Sequence, residues 1–147
     1  MKIKLIISLV VISFSFLSIS KAIELNWLTD IKEAQKQARQ ENKKILIDFT
    51  GSDWCGWCMK LDKEVFSTPE FADYAAKNLI LLKADFPHNT PQDSKQKTAN
   101  QKLAQEYGPN GFPTIVLLKN NGRAIGKIVG YQPGGPTAYI AKLEALK

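Results

Sequence analysis

"ILIDFTGSDWCGWC", residues 45–58, carries both cysteines of this 147-residue chain and joins them to a short apolar run. Ile45 to Phe49 has the length of a strand and is interrupted only by Asp48, as expected of a strand covered on both faces. An acid in such a strand is out of place and asks for a role. Cys55 and Cys58 stand three residues apart, so on a helix they share one face and come within disulfide reach. A bridge closing so small a loop removes little freedom from the unfolded chain, which suits a bond that opens and closes better than a staple. A sulfur at the start of a helix meets unpaired backbone N–H groups and the positive end of the dipole, and both favour thiolate over thiol. Cys55 is therefore expected to attack, and Cys58 to resolve the mixed disulfide that results. Asp48 becomes a candidate proton acceptor for Cys58 if the strand end lies beneath that helix. Zinc fits poorly: it normally takes four ligands, and the chain adds only His88, in a distant polar loop, to its two thiols. No metal is expected.

Upstream, "TDIKEAQKQARQENKK" (29–44) reads as an amphipathic helix capped by Asp30, with Glu33 placed as in a capping box and Ile31, Ala34 and Ala38 on its apolar face. Downstream, a helix from Cys55 to about Val65 has helical spacing at Met59, Leu61 and Val65. "STPEFADYAAKN" (67–78) starts another, with Ser67 or Thr68 as cap and Pro69 in the first turn. "LILLKADF" (79–86) is a second buried strand, "PHNTPQDSKQKT" (87–98) an extended polar loop, and Gln96 to Tyr107 a helix ended by Gly108. "TIVLL" (114–118) and "AIGKIVG" (124–130), joined through Asn121-Gly122, form a β-hairpin, and "TAYIAKLEALK" (137–147) closes the chain as a helix. The order α, β, α, α, β, α, β, β, α predicts an α/β fold: a central mixed sheet with helices on both faces.

The amino end differs in kind. Lys2 and Lys4 precede an apolar run from Leu5 to Ile19 and the small-residue pattern Ser20-Lys21-Ala22, which reads as a signal peptide over residues 1–22, cleaved after Ala22, with one domain over 23–147. The run is shorter than the roughly 20 residues that span a bilayer. Export to an oxidising compartment, here the periplasm, is the setting in which a cysteine pair cycles through a disulfide. Loss of the leader lowers the net charge from +6 to +3, with basic residues scattered among acids, so no nucleic-acid partner is expected.

"ILIDF" with its embedded acid, "WCGWC" (54–58) and "GFPT" (111–114) leading into a strand and hairpin together resemble the thioredoxin superfamily, in particular exported bacterial thioredoxin-like proteins of the DsbH and DsbD C-terminal-domain type. The resemblance covers roughly residues 43–147 and implies the thioredoxin fold. It implies Cys55 as nucleophile, Cys58 as resolving thiol, a Cys55–Cys58 redox disulfide, Asp48 as the buried acid and Pro113 as a cis-proline beside the substrate groove. Phe112 would offer backbone groups to an extended substrate segment, and Trp54, Gly56 and Trp57 would line its approach. The chain departs from ordinary thioredoxins in three places. Gly56-Trp57 replaces Gly-Pro, the stretch from Asp48 to Trp54 is one residue longer, and the polar loop around His88 is an insertion. The implied function is a periplasmic thiol–disulfide oxidoreductase working as a reductase, monomeric and without a bound cofactor. Disulfide-containing exported proteins would be its substrates, and a membrane electron donor of the DsbD type its partner. Two alternatives stand beside it: a dithiol oxidase or isomerase on the same fold, and a non-enzymatic metal or cytochrome-assembly thiol chaperone.

Overall fold

Ile45 to Phe49 lies at the centre of the molecule, as its composition requires. In the computed structural model, which describes residues 25–147, it belongs to strand β2 (Lys44–Thr50), buried at every position after Lys44. Chain order is β1 (Trp27–Leu28), α1 (Ile31–Glu41), β2, α2 (Gly56–Leu61), a π-helical turn (Asp62–Phe66), α3 (Pro69–Asn78), β3 (Leu79–Asp85), α4 (Ser94–Tyr107), β4 (Thr114–Leu118), β5 (Ala124–Val129) and α5 (Gly135–Ala145). The sheet order is β1-β3-β2-β4-β5; β1, β3 and β2 are parallel, while β4 runs antiparallel to β2 and β5 antiparallel to β4.

Alternation along β2 divides the core into two layers. Ile45, Ile47 and Phe49 pack with Ala34 and Ala38 of α1 and Leu103 of α4. Leu46 packs on the opposite face with Leu61, Phe66, Phe71 and Tyr139, which come from α2, the π-helical turn, α3 and α5. Asp48 has the parity of Leu46, so its carboxyl enters the layer that contains the cysteine helix.

The helix ends follow from local chemistry. Thr68 accepts from Phe71 N with Pro69 in the first turn, and Asp93 accepts from Lys95 N and Gln96 N. That second cap starts α4 at Ser94, so the polar loop is shorter than the sequence reading made it. At Asp30 only half of the expected capping box forms: Asp30 accepts from Lys32 N, but Glu33 accepts from Gln37 Nε2 instead of turning back. Met59 is exposed while Leu61 and Val65 are buried, and the helix after the cysteines widens into the π-helical turn before Val65 and Phe66 enter the core. Strand β1 was not read from the sequence. The expected signal peptide lies outside the described residues.

Candidate active site

Strand β2 ends at Thr50, and its neighbour β4 begins at Thr114, paired with Phe49. The antiparallel register thus brings the segment before β4 to the sheet end from which the cysteine motif departs. The Phe112–Pro113 peptide is cis and Pro113 is buried, with its carbonyl accepting from Gly130 N at 2.8 Å.

Cys55 is the cap of α2, and its sulfur accepts a hydrogen bond from Cys58 N at 3.2 Å. A backbone N–H aimed at sulfur from a helix start stabilises negative charge there. The two cysteines are joined as a disulfide with Cα atoms 5.2 Å apart, so the oxidised state is the one seen. Cys55 and Cys58 are each largely covered, at 6% and 4% exposure.

Asp48 is 5% exposed, and burial pushes its carboxyl up from the ordinary value of 3.8 to about 7. Lys83, its register partner on β3, opposes that shift, while Asp62 and Asp85 add to it. A group held there takes up and releases protons near neutrality. Asp48 Oδ1 and the Tyr139 hydroxyl are both buried without a hydrogen-bond partner among the described residues.

Trp54, directly before Cys55, organises one rim. Its indole lies over Gly51, where an added Cβ would come within 2.4 Å of the ring, so only glycine fits beneath it. The ring stacks on His88 at 4.4 Å and meets Phe112 edge-on at 5.6 Å, and its Nε1 donates to Phe86 O. Its neighbours secure the same loop. Ser52 donates through N and Oγ to the Asp85 carboxylate, and Asp53 accepts from the N–H groups of His88, Asn89 and Thr90. Three consecutive residues thereby latch segment 85–90 to the approach to Cys55. The sequence separates these partners by more than thirty residues and gives no local signal for the pairing. His88, set aside as a distant loop residue, is part of this rim.

Backbone hydrogen bonds, led by that from His88, hold the Asp53 carboxyl down at about 2. A group depressed in the folded state stabilises above its unfolded value, and the benefit is lost as pH falls through the folded value. The latch is therefore expected to hold at pH 5 and above and to fail between about 4 and 2. Asp53→Ala should speed amide exchange at His88, Asn89 and Thr90 on the order of tenfold at neutral pH while core strands keep their protection. Unchanged exchange at those three amides would dispose of the latch.

Trp57 builds the second rim. It is 59% exposed and stacks on Tyr131 at 5.5 Å, and Lys60 Nζ sits over both rings. Glu64 accepts from the Tyr131 hydroxyl and pairs with Lys60 at 3.9 Å. Tyr131 follows Gly130, the residue bonded to Pro113, so Trp57 reaches the cis-proline segment through one ring. Gly56, exposed at the start of α2, leaves open space where a side chain would stand. Trp54 and Trp57 thus leave exposed aromatic surface on both sides of the cysteine pair. Sequence reasoning named Trp54, Gly56, Trp57, Phe112 and Pro113 but missed Tyr131 and Tyr139.

A five-stranded mixed sheet between two helical layers, with a Cys-Gly-Trp-Cys pair capping a helix at one end, defines a thiol–disulfide oxidoreductase of thioredoxin fold. The chain belongs to the thioredoxin-like family, whose domain model matches residues 31–147. It is 35% identical over 124 residues to the disulfide bond reductase DsbH of Chlamydia pneumoniae, covering 84% of this chain and 74% of that one. A solved DsbH oxidoreductase superposes with a TM-score of 0.77 at 34% identity, over 83% of each chain. The oxidised C-terminal domain of DsbD from Neisseria meningitidis, 16% identical with a TM-score of 0.59 over 83% of this chain and all of that one, shares the fold.

Proposed function

We propose that this chain is an exported disulfide reductase of the periplasm that reduces disulfide-containing exported proteins and is recharged by a membrane electron donor of the DsbD type. The observation that carries the reading is the Cys55 sulfur held at the start of α2, bonded to Cys58, with an acid of near-neutral pKa in the core layer shared with that helix. In the reduced protein the Cys55 thiolate attacks one sulfur of the substrate disulfide and expels the other as a thiolate. Asp48 takes the proton of Cys58, whose thiolate then attacks the Cys55 sulfur and releases the second substrate thiolate. The substrate gains two electrons, and the Cys55–Cys58 bond holds the oxidising equivalent until the donor removes it. Trp54, Gly56 and Trp57 flank the incoming segment, Phe112 offers it backbone groups, and Pro113, which has no N–H, leaves room for it near the sulfur.

The name of the DsbH relative supports the reducing direction, and the leader-like residues 1–22 support export. Equilibration with glutathione buffers tests direction. A potential near the roughly −270 mV of thioredoxin is expected, whereas one near the roughly −120 mV of a strong oxidant would replace the reductase with a dithiol oxidase.

A further inference from the structure

Tyr139 of α5 is 1% exposed, and its ring is fixed edge-on against Phe66 at 6.0 Å. Phenylalanine would fill that space equally well, yet the chain buries a hydroxyl there that meets no protein partner among the described residues. An unpartnered polar group in an apolar layer is costly, and such groups in native proteins are commonly satisfied by internal water. A second orphan, Asp48 Oδ1, lies on the strand face that Leu46 shares, which is the face covered by that layer. The Asp48 charge reaches the Tyr139 phenol, so the two groups are near neighbours, and one water bonded to both would satisfy them together.

We propose that Tyr139 is a positioning residue for the Asp48 carboxyl, its hydroxyl and Asp48 Oδ1 sharing one buried water that holds the acid in the orientation from which it exchanges a proton with Cys58. The inference rests on the reading of Asp48 as that proton acceptor. Burial drives the Tyr139 phenol far above its ordinary value of 10, so it stays protonated across the working range and acts as a permanent donor. The charged groups acting on Asp48 from its other sides are Lys83 and Asp85 of β3 and Asp62 at the end of α2. Tyr139 is the buried hydroxyl that α5 contributes. A donor delivered through water favours the carboxylate, so its removal shifts Asp48 toward the protonated form.

Tyr139→Phe keeps the ring and deletes the hydroxyl. Followed by the 13C resonance of the Asp48 carboxyl in the oxidised protein, the titration midpoint is expected to move up by about one pH unit, a tenfold change in acid dissociation. The pH profile for release of a substrate mixed disulfide should move in the same direction. A midpoint unchanged in the variant would overturn the proposal, because a residue that only packs the core leaves it in place. A high-resolution structure of the parent protein gives a second readout, independent of how the variant folds. Density for a water within hydrogen-bond reach of both oxygens supports the pairing, and its absence overturns it. Failure of the underlying reading is distinguishable: Asp48→Asn would then resolve mixed disulfides at the parental rate, whatever Tyr139→Phe does to the titration.

Discussion

Replacing Cys55 with serine is expected to abolish disulfide reduction, with a loss of at least about a thousandfold in turnover of a disulfide-bonded test protein. Serine preserves the cap position, and its oxygen can still accept from the N–H of residue 58. It neither ionises near neutral pH nor forms a bond that stores two electrons. Cys58→Ser should behave differently. Its Cys55 still attacks, but the mixed disulfide has no internal thiolate to expel the substrate, so covalent complexes accumulate and are visible on non-reducing gels until dithiothreitol releases them. The asymmetry assigns the two roles. Turnover retained by Cys55→Ser, or trapping by Cys55→Ser and not by Cys58→Ser, would reverse or remove them.

Asp48→Asn is expected to make the oxidised protein more stable at alkaline pH and, when reduced, a slower enzyme. Burial holds the folded carboxyl at about 7 against an ordinary 3.8. Between those values the folded chain binds more protons than the unfolded one, so stability is full below about pH 4 and falls as pH rises through 7. The difference corresponds to about 4 kcal/mol of destabilisation above pH 7. Asparagine has no charge to bury and removes that slope, although its own amide needs partners, so a gain of about 2–4 kcal/mol at pH 8 is expected, shrinking toward zero near pH 4. Urea midpoints of the two proteins at pH 4.5, 6 and 8 measure it directly. Resolution of a mixed disulfide by the same variant should slow by about a hundredfold, the scale of a lost proton acceptor. A variant less stable than its parent at pH 8 would mean that Asp48 is held as a paired structural ion.

The contrast between these residues and their surroundings explains what the sequence made legible. Ile45 to Phe49, the cysteine spacing and Gly111 to Thr114 are contiguous signals; the strand, the disulfide and the sheet that joins them stand where those signals put them, and the cis-proline where the resemblance to thioredoxins implied it. Asp48 announced itself by breaking an apolar run. Strand β1, with two residues, is too short for any period to register. Met59 looked like a core position because helical spacing cannot tell the inward from the outward stripe once the helix is brief and widens after Leu61. Asp53, His88, Tyr131 and Tyr139 acquire meaning only through partners set by tertiary register: the stacking of His88 on Trp54, of Tyr131 on Trp57, and the shared core layer of Tyr139 and Asp48.

The indole resting on Gly51 has an evolutionary corollary. Any side chain at position 51 would strike the ring, so the two positions can change only together or in the order tryptophan first, glycine second. Gly51 and Trp54 should therefore behave as one inherited character, and relatives that share this rim should be recognisable by G-x-x-W-C-x-x-C where the bare cysteine spacing is shared far more widely.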